Sequence, residues 1–294
     1  PTRVLTDVAE HFGYAFSGDP ALLKEKYRRN MSLLEERLET DEKETNPTLY
    51  KELIDTYCLQ SDADVKEKSD VIIGFAQKGI EICRKQKKDY ILCLYHTLMS
   101  FYIRLKRYED AVKVYDEYFS VDKEIRGGIR NTDLDIIGYA AQSLYILDRN
   151  EEAYNMFRKF YELNDFIEKN KICTGDVLYL TQRTTGKAVL DIFNVQFTDC
   201  CINTGRYKEA ENNFREYPDS TYAYDRQLYI KRIRQKMSVL LKYNVRDIAG
   251  IYSGSDEKLK KRFFDALRYN LINSDEADRC AVINKLSSLS LKNA

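Results

Sequence analysis

The chain has 294 residues, enough for one elongated domain or two compact ones. Lysine plus arginine equals aspartate plus glutamate at 47 each, which disfavours nucleic acid as a partner, and no window reaches the roughly 20 continuous apolar residues of a membrane-spanning helix. With 44% hydrophobic and 32% charged residues and only four prolines, the composition is that of a helix-rich globular protein and argues against disorder over most of its length.

The first segment, "RVLTDVAEHFGYA" (3–15), alternates as a short strand does and then passes through His11-Phe12-Gly13-Tyr14 into a loop. It begins on proline rather than methionine and lacks the basic-then-apolar order of a signal peptide, so a natural chain extending upstream and a cytoplasmic location are expected. From Pro20, the apolar positions Leu23, Tyr27, Met31, Leu34 and Leu38 draw one stripe down a helix. Asp19 suits its N-cap, and Pro20 its first position, where a missing N–H costs nothing. On that helix "KEKYRR" (24–29) reads as a solvated face or a docking surface, with an anion patch as the alternative.

One phrase then recurs: "KRYEDAVKVYDEYF" (106–119), "DRNEEAYNMFRKFYEL" (148–163) and "TGRYKEAENNFREY" (204–217), with a fainter copy in "FAQKGIEIC". Each copy carries an alanine, at 76, 111, 153 and 210, separated by 35, 42 and 57 residues. Apolar helices at 89–107, 133–149 and 188–206 precede the three strong copies, an A-helix before a B-helix each time. Paired helices at this spacing resemble tetratricopeptide repeats of about 34 residues, in which alanine permits close helix approach. "PDSTYAYD" breaks the pattern, and further helices are predicted at 225–244, 256–272 and 275–287, the last ones capping the stack.

Candidate chemistry is sparse. "SDAD" (61–64) and "NTDLD" (131–135) contain the Asp-x-Asp that can hold a divalent metal, yet both precede helices, where such residues cap. "TTGKA" (184–188) lacks the upstream glycine of a phosphate loop. His96 lies in an apolar helix and reads as a core histidine. The seven cysteines are scattered, with no C-x-x-C pair, and most lie in apolar helical contexts and read as small hydrophobes in a reducing compartment. The 23 tyrosines and 13 phenylalanines, with no tryptophan, imply a core of large rings whose hydroxyls need partners.

His11-Phe12-Gly13-Tyr14, then "KEKYRRNMSLLEERL" (24–38) and "NPTLYKELIDTY" (46–57), together resemble the junction in bacterial family 2 glycosyltransferases with a C-terminal tetratricopeptide region, the group that includes sublancin-type peptide S-glycosyltransferases. Arg29-Asn30, Leu33-Leu34-Glu35 and Asn46-Pro47 carry the likeness, which covers about the first 57 residues. It implies that residues 1–18 are the C-terminal stub of a catalytic α/β domain and that 19–217 are degenerate repeats, with capping helices at 218–294. The expected fold is thus an all-α, tetratricopeptide-like solenoid, a right-handed superhelix of antiparallel helix pairs. The resemblance also implies that His11 is a metal ligand only beside the upstream domain, with Mn²⁺ or Mg²⁺ and a nucleotide-sugar donor bound there, and that this region alone transfers no sugar.

Its implied role is recognition of an acceptor, such as a polypeptide, or pairing of two subunits. Two other readings keep the fold. One is a free-standing tetratricopeptide adaptor for a partner protein or peptide, with Lys106, Arg107, Asn203 and Arg206 as candidate contacts. The other is a repeat-bearing signalling or regulatory protein.

Overall fold

The computed structural model describes residues 20–125, 131–169, 187–217, 219–222 and 224–242, together with positions 261, 265, 268, 272, 280, 283 and 284. Among these residues there is helix and no strand, and no helix is long and apolar enough to cross a membrane. The residues 1–18 and most of the expected capping helices at 256–272 and 275–287 lie outside the described set; the seven separate positions are helical. The chain divides into two compact units, Pro1–Gly128 and Ile129–Ala294, each with its own helix packing.

In the first unit, α1 (Pro20–Leu38) begins on proline as expected. Its stripe buries Met31 and Leu34 against Leu49, Tyr50 and Leu53, with Tyr27 and Leu38 at the margin. Lys24, Glu25, Arg28 and Arg29 stay exposed, so "KEKYRR" is a solvated face. A short turn of helix, α2 (Glu42–Thr45), then leads to α3 (Pro47–Tyr57). There Asn46 is the N-cap, its side-chain oxygen accepting from the Thr48 N–H at 3.1 Å, and Pro47 opens the helix. Arg37 binds Glu42 at 2.8 Å and Glu52, while Asn46 donates to the same Glu42 at 2.8 Å. The Arg-Leu end of α1 is thereby tied to the Asn-Pro start of α3.

The short α4 (Asp62–Glu67) starts at Ser61, whose hydroxyl accepts from the Asp64 N–H, so "SDAD" caps a helix, and Asp62 pairs with Arg104. Next come α5 (Ser69–Gln86), α6 (Ile91–Arg104) and α7 (Tyr108–Ile125). α5 packs on α3 and α6, and α6 on α7. Gly79 of α5 lets Leu94 approach, since a Cβ there would lie 2.9 Å from Leu94 Cδ1.

In the second unit, α8 (Asn131–Ile146) packs on α9 (Asn150–Lys169). α10 (Lys187–Asn203) packs on α8, α9, α11 (Tyr207–Glu216) and α12 (Arg226–Lys242), with a 3-10 turn at Asp219–Tyr222 before α12. "NTDLD" forms the first turn of α8, and Asp133 and Asp135 are both buried.

The recurring phrase has a common geometry. Lys106, Asp148 and Gly205 take left-handed backbone conformations, with φ of 58°, 59° and 76°. The N–H of the next residue reaches back five positions: Arg107 to the Tyr102 carbonyl at 2.8 Å, Arg149 to Leu144 at 2.9 Å and Arg206 to Cys201 at 2.7 Å. This closure satisfies the orphan carbonyls of a helix end and turns the chain sharply. The arginine then stands just ahead of the next helix, an acid (Asp110, Glu152, Glu209) fills the third position and an alanine the fourth. The acid lies near the positive helix end, and Arg107 and Arg149 donate to it at 2.7 and 2.8 Å. Ala111, Ala153 and Ala210 have no exposed surface, as expected for close approach. Ala76 is buried as well, but at the eighth position of α5, so the fainter copy does not share this junction.

Two glycines separate packing from propensity. A Cβ on Gly138 would sit 2.6 Å from Phe193 Cε2 and 3.2 Å from Phe160 Cε2, whereas one on Gly74 meets nothing within 4 Å. Gly138→Ala is expected to destabilise by about 1–3 kcal/mol through overpacking, and Gly74→Ala to stabilise by up to ~1 kcal/mol through helix propensity. Guanidinium denaturation of the two variants checks the opposite signs.

Candidate functional site

His11 lies outside the described residues, as do Cys173 and most of "TTGKA". His96 is buried on α6, in the core position expected of it. Asp133 and Asp135 sit within α8, and no group of three or more His, Cys, Asp or Glu side chains able to hold a metal occurs among the described residues. These residues therefore do not fit a Mn²⁺ or Mg²⁺ site.

The described cysteines are free thiols. Burial pushes Cys83 and Cys201 up to about 12, and Cys200 above its ordinary range as well. Thiols held protonated in this way are poor nucleophiles.

The second unit contains a polar network centred on α10. Tyr161 donates to Asn194 at 2.5 Å, and Tyr224 donates to Asp191 at 2.7 Å. Arg232 of α12 is fully buried, donating to the Thr198 hydroxyl at 2.8 Å and to the Asn213 carbonyl at 2.7 Å. Its guanidinium lies 4.5 Å from the Phe214 ring centre. A buried guanidinium is tolerable only with such contacts, and here it also donates to the Tyr217 carbonyl at 3.1 Å, just past the end of α11.

Beside it, Asp199 accepts from Tyr145 at 2.7 Å, from Lys231 at 2.6 Å and from Gln235 at 2.6 Å. Lys231 also donates to the Tyr145 hydroxyl at 2.6 Å. Burial would lower the Lys231 ammonium, but Asp199 and Tyr145 outweigh it and hold the group above its usual range. Burial, then the Asp199 charge, pushes the Tyr145 phenol up to about 12. The first unit repeats the idea: Arg84 donates to the Tyr95 hydroxyl at 2.5 Å, which donates to Glu117 at 3.1 Å.

Asp199, Lys231 and Gln235 of this cluster line an open groove of about 570 Å³ between α10 and α12. Asp199, Ile202 and Asn203 line it from α10; Gln227, Ile230, Lys231, Arg234, Gln235 and Ser238 line it from α12. The α12 residues recur every three or four positions, so they form one helix face. The described lining offers hydrogen-bond donors, two cations and two isoleucines, a composition that suits binding.

Of the four residues considered for peptide contact, Asn203 lies in this groove. Lys106 is a turn residue, Arg107 pairs with Asp110, and Arg206 pairs with Glu151 while lying 4.1 Å over Tyr154. Both arginines are thus engaged at helix junctions. The α12 residues escaped sequence reading, although their recurrence every three or four positions was the available signal. No protein-family model matches the chain, and no match was found among curated proteins.

The Tyr145 phenol yields a sign for alkaline stability. Its raised value favours the neutral phenol in the folded state, so its contribution is complete below pH about 10 and is lost as pH rises towards about 12. Tyr145→Phe should cost about 1 kcal/mol near neutrality. The gap from the parent should vanish across that alkaline window, as read by guanidinium midpoints against pH.

Proposed function

We propose that this chain is the C-terminal helical-repeat region of a family 2 glycosyltransferase, a tetratricopeptide-like solenoid that serves acceptor recognition or subunit assembly rather than chemistry. The observation that carries the repeat part is the thrice-used junction: a left-handed turn residue, an arginine, an acid and a fully buried alanine in the same order and spacing. The glycosyltransferase part rests on the resemblance of residues 11–57. The tie from Arg37 through Glu42 to Asn46, and Pro47 at the start of α3, give the Asn-Pro of that stretch a structural reason.

In this reading the donor sugar nucleotide and Mn²⁺ or Mg²⁺ belong to an upstream catalytic domain, and His11 contributes to the metal there. This reading places the chain in a reducing, cytoplasmic setting, where free thiols persist. A second reading, a free-standing adaptor for a protein or peptide, is favoured by one observation, the position of Asn203 in the groove.

Calorimetric titration of UDP-sugars with and without Mn²⁺ separates them, using the natural full-length chain, this 294-residue chain and full-length His11→Ala. The glycosyltransferase reading expects metal-dependent binding by the full-length protein alone, weakened about tenfold or more in His11→Ala, the scale of a lost metal contact. Absence of nucleotide-sugar binding by the full-length protein would transfer the case to the adaptor.

A further inference from the structure

We infer that α12 is a detachable helix: it leaves α10 and α11 as one unit while α8, α9 and α10 stay folded together, so the groove it walls is made by its docking and lost on its release. The inference goes beyond the family reading above and does not depend on it.

α10 meets its two neighbours through different chemistry. Towards α9 the contacts are rings: Tyr154 stacks on Phe197 with centres 5.7 Å apart, Phe160 meets Phe193 edge to face at 5.2 Å, and Tyr161 meets Phe197 at 5.4 Å. Parting those rings exposes apolar surface to water with nothing gained in return. Towards α12 the contacts are hydrogen bonds. The buried side chains of α12 among the described residues are Arg232, Gln235 and Val239, two of them polar. Arg232 gives its N–H groups to the Thr198 hydroxyl and to the Asn213 and Tyr217 carbonyls. Gln235 donates from Nε2 to the Val195 carbonyl and to the Asp199 carboxylate, both at 2.6 Å, and Lys231 reaches Asp199 and Tyr145. On release, water takes over each of these bonds and rehydrates a cation that has no exposed surface when docked. Opening the α12 side therefore costs less than opening the α9 side.

What stays behind is held without α12. α10 also packs on α8, α9 and α11, and Thr198 keeps the Asn213 side chain as a partner at 2.9 Å. The departing helix is likewise closed at its own start, where the Asp225 carboxylate accepts from the N–H groups of Gln227 at 2.8 Å and Leu228 at 3.1 Å. A lone helix of 17 residues is marginal in water, so release leaves its amides open to exchange.

Native-state hydrogen exchange of this chain, followed by mass spectrometry at rising sub-denaturing guanidinium, tests the inference. Amides across 229–239 should share one protection factor, about tenfold or more below those of α8 and α9, with a weaker denaturant dependence because less surface opens. Arg232→Met should lower α12 protection a further tenfold or more while α8 and α9 change less than about twofold. Phe160→Leu should do the reverse, loosening α8 and α9 about tenfold through a core cavity and leaving α12 within about twofold. If Arg232→Met does not fold, Asp199→Asn, which strips Lys231 of its counter-charge, decides by the same comparison. Equal protection and equal denaturant slope in α9 and α12, a gradient of exchange running in from Lys242 as in simple fraying, or losses shared equally by α8, α9 and α12 in Arg232→Met each overturn the inference.

Discussion

The left-handed residue that ends a helix, with the following N–H bonded five residues back, is the constraint on which the hairpins depend. At Lys106, Asp148 and Gly205 it stops one helix, satisfies its last carbonyls and delivers an arginine to the start of the next. Only a three-residue link separates the helices, so they must fold against each other, and the residue one turn into the second helix is fully buried at all three junctions. Alanine is the residue found there, because a larger side chain would hold the helices apart. Two of the three left-handed positions are not glycine, so each accepts some backbone strain in exchange for the turn.

The tyrosines extend the same logic from backbone to side chain. A ring fills the space between helices, and its hydroxyl, which cannot be buried unpaired, donates to a group on another helix. Tyr95 to Glu117, Tyr145 to Asp199, Tyr154 to Glu209 and Tyr161 to Asn194 all follow this scheme. Apolar packing is non-directional, whereas these hydrogen bonds each specify one partner. Arg232 does the same at larger cost, since a wholly buried cation needs several acceptors and two aromatic faces around it.

The groove follows from this arrangement. Arg232 fixes one side of α12 inward against Thr198 and Asn213, which leaves the neighbouring face, Gln227 to Ser238, along the edge of α10. A helix whose buried side is held by a guanidinium and whose lining side carries cations and amides is oriented to present charge. The Asp199 cluster lies at the seam, so its three donors both tie α8, α10 and α12 together and meet the Asp199 carboxylate that lines the groove.

Periodicity and composition by themselves determined much of the architecture. The stripe from Leu23 to Leu38, the proline at the head of α1, the alanine phrases and the break at 218–219 are local signals, because helix face, capping and turn chemistry act within a few residues. The core placement of His96 and of Cys83, Cys93, Cys200 and Cys201 followed from their apolar neighbours in the same way, whereas Cys280 is exposed. The arginine of each junction was visible as a letter but not as a cap, since its role depends on a backbone turn that lysine and aspartate adopt against their usual preference. Only tertiary structure decided which residues share the groove: Asp199 and Lys231 are 32 positions apart, and Tyr145 lies 54 before Asp199. Their meeting is set by how α8, α10 and α12 pack, a long-range arrangement that no spacing within one helix encodes.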